Sequence, residues 1–287
     1  MTSRFTFSSA PVLACCLFAV AGPAVAQSPA FAQALLDDKF NLSLGTFIVG
    51  TDVKGELNGT AIGTNREIDF GKDFGLDNDA TRVRLDGLWR ITPTHHLRFM
   101  YFDTQNDGTR TLDRTITWGD YTFNVGANVT AESRLRIAEL AYEYAFAKQP
   151  SYEVAATIGI HYIDTQLRLS GSATFTDANG NVTTAQSTTR ENSVPAPLPV
   201  VGLRGGWVVA PQWYLDAYAQ FFKAKLQGID GTITDARVAA TWMFHRNFGV
   251  GLGYNYFGTD VDVEKSSFNG TLKLGYSGLQ LFVTGTF

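Results

Sequence analysis

The sequence predicts an all-β fold, namely a transmembrane antiparallel up-and-down β-barrel of about ten strands, with eight and twelve as alternative counts. First, segments of roughly 10–16 residues alternate between apolar and polar positions, whereas strands of soluble sheets average about 5–6 residues. Second, very short turns alternate with longer polar stretches along the chain. Third, tryptophans lie near the short turns on the apolar face, as in the aromatic rings that flank a bilayer.

The composition excludes several other classes of protein. Of the 287 residues, 45% are hydrophobic and 17% are charged, so the chain has too much apolar surface to stay disordered. Beyond residue 26 there is no apolar run of about 20 residues, which a transmembrane helix needs. The formal net charge of −4 argues against a nucleic-acid partner, because binding nucleic acid requires a basic face.

Residues 1–26 are expected to form a cleaved signal peptide. Arg4 is the only charge before Asp37, an apolar segment follows at residues 10–20, and residues 24–26 (Ala-Val-Ala) supply a small-residue cleavage site. We therefore expect residues 27–287 to form a single barrel domain. Both cysteines lie within the signal peptide, so the mature chain is expected to contain neither a disulfide nor a thiolate metal site.

Alternation gives each strand one lipid-facing and one lumen-facing side. In residues 236–244, for example, Val238 and Ala240 share the apolar face, whereas Arg237 and Thr241 share the other. The predicted strands cover residues 40–54, 80–92, 96–107, 133–147, 152–171, 199–210, 213–226, 231–245, 247–262 and 270–287. Long extracellular loops are expected near residues 56–78, 109–130 and 171–195. A break of parity at Gly278 predicts a bulge in the last strand.

Charged side chains on the polar faces are expected to line the lumen, where charge costs least in a membrane protein. A ten-stranded barrel encloses little more space than an eight-stranded one, whose interior side chains fill. Two interpretations stay open: a network of ion pairs that braces the wall, and a narrow charged channel. The lumen-facing polar candidates are Arg82, Arg84, Asp86, Arg90, Arg98, Glu139, Glu143, Glu153, His161, Arg204, Asp216, Asp235 and Arg237.

Aromatic side chains near the short turns are expected to form a girdle at one interface of the bilayer, where amphipathic rings prefer to lie. In a soluble sandwich such rings would belong in the middle of the core. The girdle candidates are Trp89, Tyr142, Phe146, Trp207, Trp213, Trp242, Phe244 and Phe248.

The last residues of the chain alternate at Leu279, Leu281 and Val283 and end on Phe287. This pattern resembles the C-terminal assembly signal of bacterial outer-membrane proteins. Together with the signal peptide and the strand pattern, it makes the whole mature chain resemble small bacterial outer-membrane barrels. Residues 66–70 (Arg-Glu-Ile-Asp-Phe) and 75–77 (Gly-Leu-Asp) are similar to stretches in functionally unassigned barrels of this kind.

The resemblance implies location in the cell outer membrane and a set of partners. These partners are outer-membrane lipids and lipopolysaccharide, the barrel-assembly machinery and periplasmic chaperones. Phe287 would be the residue that the assembly machinery reads.

Catalytic residues, a cofactor and a metal site are not expected. His95 and His96 are expected in a short periplasmic turn, and His245 lies beside another. His161 lies in mid-strand and faces inward, but Asp164 falls on the opposite face, so no sequence neighbour provides an acid–base partner for His161. Residues 177–181 (Asp-Ala-Asn-Gly-Asn) resemble part of a calcium loop but lack its distal glutamate, and they also suit a hairpin tip.

Three functions are therefore considered. The favoured one is a non-enzymatic barrel, either structural or a narrow pore with a charge-paired lumen. The alternative is a surface barrel that binds a ligand or another cell through its extracellular loops. An outer-membrane hydrolase is the third.

Overall fold

The computed structural model describes residues 30–49, 54–59, 68–69, 81–113, 115–118, 121–176, 182–226, 229–265 and 268–287. The predicted signal peptide and the calcium-like motif at residues 177–181 lie outside the described residues, as does most of the stretch 56–78. Within the described part, a 3-10 helix (Phe31–Gln33) and a short α-helix, α1 (Ala34–Asp37), precede the strands. None of the helices in that part is long and apolar enough to cross a membrane.

Strands account for nearly all of the remaining described chain. In chain order they are β1 (Phe40–Val49), β2 (Lys54–Gly59), β3 (Ile68–Asp69), β4 (Thr81–Arg90), β5 (His95–Thr111), β6 (Ile116–Trp118), β7 (Tyr121–Phe123), β8 (Asn128–Gln149), β9 (Tyr152–Thr176), β10 (Val182–Ala210), β11 (Trp213–Leu226), β12 (Ile229–His245), β13 (Phe248–Lys265) and β14 (Phe268–Thr286).

Ten of these strands form a closed antiparallel barrel, which confirms the predicted fold and strand count. The order around the wall is β1, β4, β5, β8, β9, β10, β11, β12, β13 and β14, and β1 pairs back to β14. The short strand β2 continues the pairing with β14 beyond the end of β1, and the β6–β7 hairpin pairs with β9. Within the described residues, each of the ten wall strands therefore pairs with a neighbour on both sides, as a barrel in lipid requires.

Burial alternates along the barrel strands with the period that the sequence predicts. Leu215, Ile158 and Leu252 point outward and are exposed, whereas Thr157 and Thr241 point inward and are buried. Because side chains of a strand alternate between its two faces, this pattern separates an apolar outer wall from a polar lumen.

The apolar part of the outer wall has the height of a bilayer core. On β9 the outward residues are apolar or aromatic from Tyr152 to Tyr162, and Asp164 then begins a polar surface. At about 3.3 Å per residue and a tilt of about 40°, this stretch is roughly 25 Å tall, which matches the apolar band of outer-membrane barrels.

The two ends of the barrel differ in length. Bends and turns at residues 91–94, 150–151, 211–212 and 246–247 join strands at one end of the barrel, which also carries residues 31–37 and Phe287. At the opposite end β9 and β10 stay paired up to Thr176 and Val182, and β5 and β8 up to Thr111 and Asn128. Residues 171–176, 182–195, 109–111 and 128–130, which were expected in loops, are therefore paired strand and lengthen the wall.

The predicted bulge at Gly278 is wrong. The β13–β14 register runs without a shift from Gly285 through Gly278 to Phe268, and the irregularity lies instead in β1, between Phe47 and Val49. The parity break has another cause: Tyr276 faces the lumen, where its hydroxyl accepts a hydrogen bond from an arginine.

The interior is closed near the short-turn end by residues 31–37, which we call the N-terminal plug. Ala32, Leu35 and Leu36 are buried against Tyr214 and Met243, which point inward from the wall. The backbone N–H of Ala32 also donates a hydrogen bond to the carbonyl of Pro211 in a turn. Residues 31–37 thus fill the mouth of the barrel at its short-turn end.

Towards the other end, an apolar core fills the lumen. Its centre, which we call the aromatic cluster, consists of Phe47, Phe102, Phe257 and Tyr276. The Phe102 and Tyr276 rings stack at 4.2 Å between centroids, Phe257 stacks on Tyr276 at 5.4 Å, and Phe47 meets two of the rings edge-on at 5.6 Å. Apolar side chains of β8, β9, β10 and β12 surround the cluster, so the core spans the cross-section of the barrel.

Candidate functional site

The predicted lumen residues come together between the N-terminal plug and the aromatic cluster. All of them lie on inward-facing positions of β4, β5, β8, β9, β10, β11 or β12. Most are buried, whereas Arg82, Asp86 and Asp216 are partly exposed. Polar contacts of 3.8 Å or less connect most of them into one chain across the lumen, which we call the lumen network.

The centre of the lumen network alternates arginines and glutamates. Arg98 donates through Nη1 and Nη2 to both carboxylate oxygens of Glu139, at 2.9 and 2.6 Å, and through Nε to Glu143 at 2.9 Å. Arg204 donates through Nε to the other oxygen of Glu143, at 2.7 Å, and also forms an ion pair with Glu153. Buried charges are tolerated when each is paired with an opposite charge and forms hydrogen bonds, which is the arrangement found here.

Towards the aromatic cluster, tyrosines and a histidine continue the lumen network. Arg84 is fully buried and donates to Asp86, to the Tyr276 hydroxyl at 2.9 Å and to the Tyr218 hydroxyl at 2.7 Å. Tyr218 in turn donates to Asp235, at 3.2 Å.

Asp235 links this branch back to the centre. Its Oδ2 lies 3.1 Å from Nε2 of His161, and the same nitrogen is 3.7 Å from Oε2 of Glu139. Gln220 donates to the other oxygen of Glu139, at 2.8 Å. The three titratable side chains are almost completely buried and could together ligate a metal ion.

Towards the plug, the lumen network ends on backbone carbonyls. Arg90 donates to the carbonyls of Leu35 and Asp38, at 2.8 and 3.0 Å, and lies 3.8 Å from Glu153. Arg237 and Asp216 form a further pair at 2.7 Å. Side chains of the network therefore also hold the plug in place.

A cavity of about 90 Å³ lies beside the network. Leu35 of the plug, Asp86 and Asp216 contribute to its lining, together with the inward faces of Arg98 and Tyr218. A space of this size holds several water molecules next to the charged groups.

The structure places His95 and His96 in a strand and not in the expected turn. His95 and His96 are the first residues of β5, because pairing with β8 starts directly after the bend. His95 is outside the barrel, where Nδ1 lies 2.5 Å from the Tyr142 hydroxyl. His96 is fully buried, with Nδ1 3.7 Å from Glu153 and 3.9 Å from Glu143.

Sequence reasoning missed the neutral members of the lumen network. Tyr218 and Gln220 alternate with outward residues on the same face as Asp216, and this signal was present in the sequence. Selecting charged residues alone left them out. Tyr276 was also missed, because an aromatic ring at an alternate strand position suits the lipid face as well as the lumen.

The girdle candidates lie on the outside of the wall at the short-turn end. Trp213, Trp242 and Phe248 are among the exposed large hydrophobic side chains. The remaining candidates that are exposed are Trp89, Tyr142, Phe146 and Phe244. Trp207 is partly covered because its ring lies over Gly205, where an added Cβ would come 2.1 Å from the ring.

The C-terminal residue meets the start of β1 beside the plug. The backbone N–H of Phe40 and the carbonyl of Phe287 form a hydrogen bond of 2.9 Å, and a second bond runs in the reverse direction. Asp38 receives two hydrogen bonds from Arg246, at 2.8 and 2.9 Å, and one from Thr286 at 3.1 Å. The hydrogen bonds from Arg246 and Thr286 lower the pKa of Asp38 below its ordinary value, although partial burial opposes them.

Comparisons with known proteins bear on the fold. No family model matches the chain, and no curated protein matches it either. Among solved structures, the outer-membrane protease OmpT from Escherichia coli matches with a TM-score of 0.55 at 12% identity, over 88% of this chain and 97% of that chain. The protein has the closed β-barrel fold of this outer-membrane protein. At this identity the similarity to OmpT concerns the fold alone.

Looser matches are also barrels. The toluene transporter TodX of P. putida matches with a TM-score of 0.39 at 9% identity, over 91% of this chain and 93% of that chain. The attachment invasion locus protein Ail of Yersinia pestis matches with a TM-score of 0.30 at 9% identity, over 85% and 97%. The closed wall, its apolar band and its girdle agree with location in the outer membrane.

Proposed function

We propose that this outer-membrane barrel is a sealed, structural barrel without enzymatic activity and without an open pore. The observation that carries the proposal is the filled lumen. The N-terminal plug, the lumen network and the aromatic cluster occupy three successive levels of the interior. A solute crossing the barrel would have to displace side chains at each level.

The energy needed to open such a path argues for the structural interpretation over the narrow pore. Breaking one buried ion pair by removing a partner costs about 3–5 kcal/mol, and Arg98, Glu143 and Arg204 are connected by several such bonds. Separating the aromatic cluster would also expose buried rings, at about 1.5–3 kcal/mol each. Spontaneous opening wide enough for a solute would therefore be rare.

Planar-bilayer recording tests the proposal. Folded protein, recognised by its heat-modifiable mobility on a gel, is expected to insert without producing conductance steps. The matched control is a preparation from cells that carry the empty vector, which reveals contaminating porins. Reproducible steps that are present with the protein, and absent from that control, would contradict a sealed lumen.

We propose that the protein lacks enzymatic activity because the titratable groups of its lumen are enclosed. His161, Asp235 and Glu139 lie beneath the aromatic cluster, and the His161 and Phe257 rings are 6.0 Å apart. A peptide or a lipid outside the wall does not reach them. We expect peptide and phospholipid hydrolysis by the wild type to equal that of the Asp235→Asn variant, and a clear excess would contradict this part of the proposal.

The proposed partners follow from the outer surface. Exposed apolar and aromatic side chains face the acyl chains of outer-membrane lipids. Above them, Arg134 and Asp103 form a surface ion pair at the level of lipid and lipopolysaccharide headgroups. Phe287 is exposed beside Phe248 and is proposed to be read by the barrel-assembly machinery, with periplasmic chaperones as carriers.

A second candidate function is binding at the cell surface. The β9–β10 hairpin favours it, since the two strands stay paired far beyond the apolar band, up to residues 176 and 182. The test measures adhesion of cells to immobilised heparin and collagen. Cells that display the wild type are expected to adhere more strongly than cells that display a variant lacking residues 172–190. Equal adhesion would contradict this function.

A further inference from the structure

We propose that Glu139, His161 and Asp235 form a binding site for one divalent transition-metal ion, Zn²⁺ in the first instance. No neighbour in sequence pairs with His161, because its two partners lie on other strands, β8 and β12. The site is independent of whether the barrel conducts.

The distances between the candidate ligand atoms suit tetrahedral coordination. Zinc binds nitrogen and carboxylate oxygen at about 2.0–2.2 Å, so neighbouring ligand atoms of a tetrahedron lie about 3.4 Å apart. Nε2 of His161 is 3.1 Å from Oδ2 of Asp235 and 3.7 Å from Oε2 of Glu139, and all three atoms lie within 4.8 Å of one another. One imidazole with two carboxylates is a donor set for zinc or a neighbouring first-row divalent ion.

The surroundings of the two carboxylates resemble a second coordination shell. Arg98 and Gln220 donate to Glu139, and the Tyr218 hydroxyl donates to Asp235. Hydrogen bonds of this kind hold metal-binding carboxylates in position and are a regular part of metal sites.

Two features of the described residues are compatible with a cation at this place. Asp235 is fully buried, and within the described residues no arginine or lysine forms an ion pair with it. The second feature is the Gln220 side chain, whose Nε2 donates to Glu139. Its Oε1 is a buried acceptor that has no hydrogen-bond partner within the described residues. A buried carboxylate needs a compensating charge, and a metal ion held by Asp235 and Glu139 would supply it.

The neighbouring cavity offers a route of entry. Arg98 and Tyr218 line it on the side of the site, and its lining also includes Asp86 and Asp216, which pair with Arg84 and Arg237. A metal bound at the site would tie β8 and β9 to β12, across the lumen.

Metal analysis of the complete folded barrel tests the site. The protein carries a tag without histidine, is dialysed against Zn²⁺ and then against metal-free buffer, and its metal content is measured. We expect about one zinc per chain for the wild type and for the control His245→Gln, which removes an exposed histidine. His161→Gln and Asp235→Asn are expected to weaken binding tenfold or more.

A spectroscopic measurement keeps the test valid if those variants do not fold. Wild type loaded with Co²⁺ is expected to show the intense visible absorption of a four-coordinate ion, and Zn²⁺ is expected to remove it. Less than one half zinc per chain, equal retention by folded His161→Gln, or only the weak spectrum of hydrated Co²⁺ would overturn the proposal.

Discussion

Replacing Glu143 by glutamine is expected to destabilise the folded barrel by about 3–5 kcal/mol. Glu143 is fully buried and accepts from Arg98 at 2.9 Å and from Arg204 at 2.7 Å. Glutamine keeps one acceptor oxygen and loses the charge, so each arginine loses part of its compensation. Hydrogen bonds to charged groups contribute about 1.5–3 kcal/mol each, and breaking a buried ion pair costs about 3–5 kcal/mol.

The remaining partners place the effect at the lower end of this range. Arg98 retains two bonds to Glu139, and Arg204 retains Glu153. A cost of about 3 kcal/mol still changes the unfolding equilibrium more than a hundredfold. The measurement is denaturant-driven unfolding and refolding in phospholipid vesicles, followed by tryptophan fluorescence.

Asp103→Asn is the matched control for this measurement. Its side chain also receives two hydrogen bonds from one arginine, Arg134, but this pair lies on the outer surface, where the Arg134 side chain is 40% exposed. Surface pairs contribute about 0–1 kcal/mol, so the control is expected to change stability little. Equal, small effects of the two variants would show that water screens the lumen network, and the reasoning about a packed interior would be refuted.

Three further predictions concern the wall, the C-terminus and the plug. Ala240→Arg places a charge on the lipid face and is expected to cost about 2–4 kcal/mol in lipid refolding. Thr241→Asn adds only a neutral polar group beside the lumen cavity and should cost clearly less; equal losses would contradict the facing. Deleting Phe287 is expected to lower the amount of assembled barrel in cells strongly, and unchanged outer-membrane levels would argue against an assembly signal. Because Arg246 lowers the pKa of Asp38, the carboxylate stabilises the folded state above the ordinary value of 3.8, and this contribution is lost as the pH falls through the lowered pKa. The unfolding midpoint of Asp38→Asn should therefore lie below that of the wild type at neutral pH and approach it in acid; a gap that is constant with pH would contradict the assignment.

The sequence by itself determined the fold class and the facing of most of the wall, and it favoured ten strands over the alternatives of eight and twelve. The physical reason is local: consecutive side chains of a strand point to opposite faces, so lipid and lumen impose a period of two that is readable over each strand. Ala240 and Thr241, for example, are adjacent in sequence and are separated correctly by this rule. The short turns and the girdle are equally local signals.

Only the tertiary structure decided what fills the lumen. His161 and Asp235 are 74 positions apart and lie on strands that do not pair, and Arg84 meets Tyr276 across 192 positions. Contacts across a lumen depend on the register, tilt and closure of all ten strands, which a period of two does not encode. For the same reason the tertiary structure, and not the sequence, put residues 31–37 in the mouth at the short-turn end and brought four distant aromatic rings together.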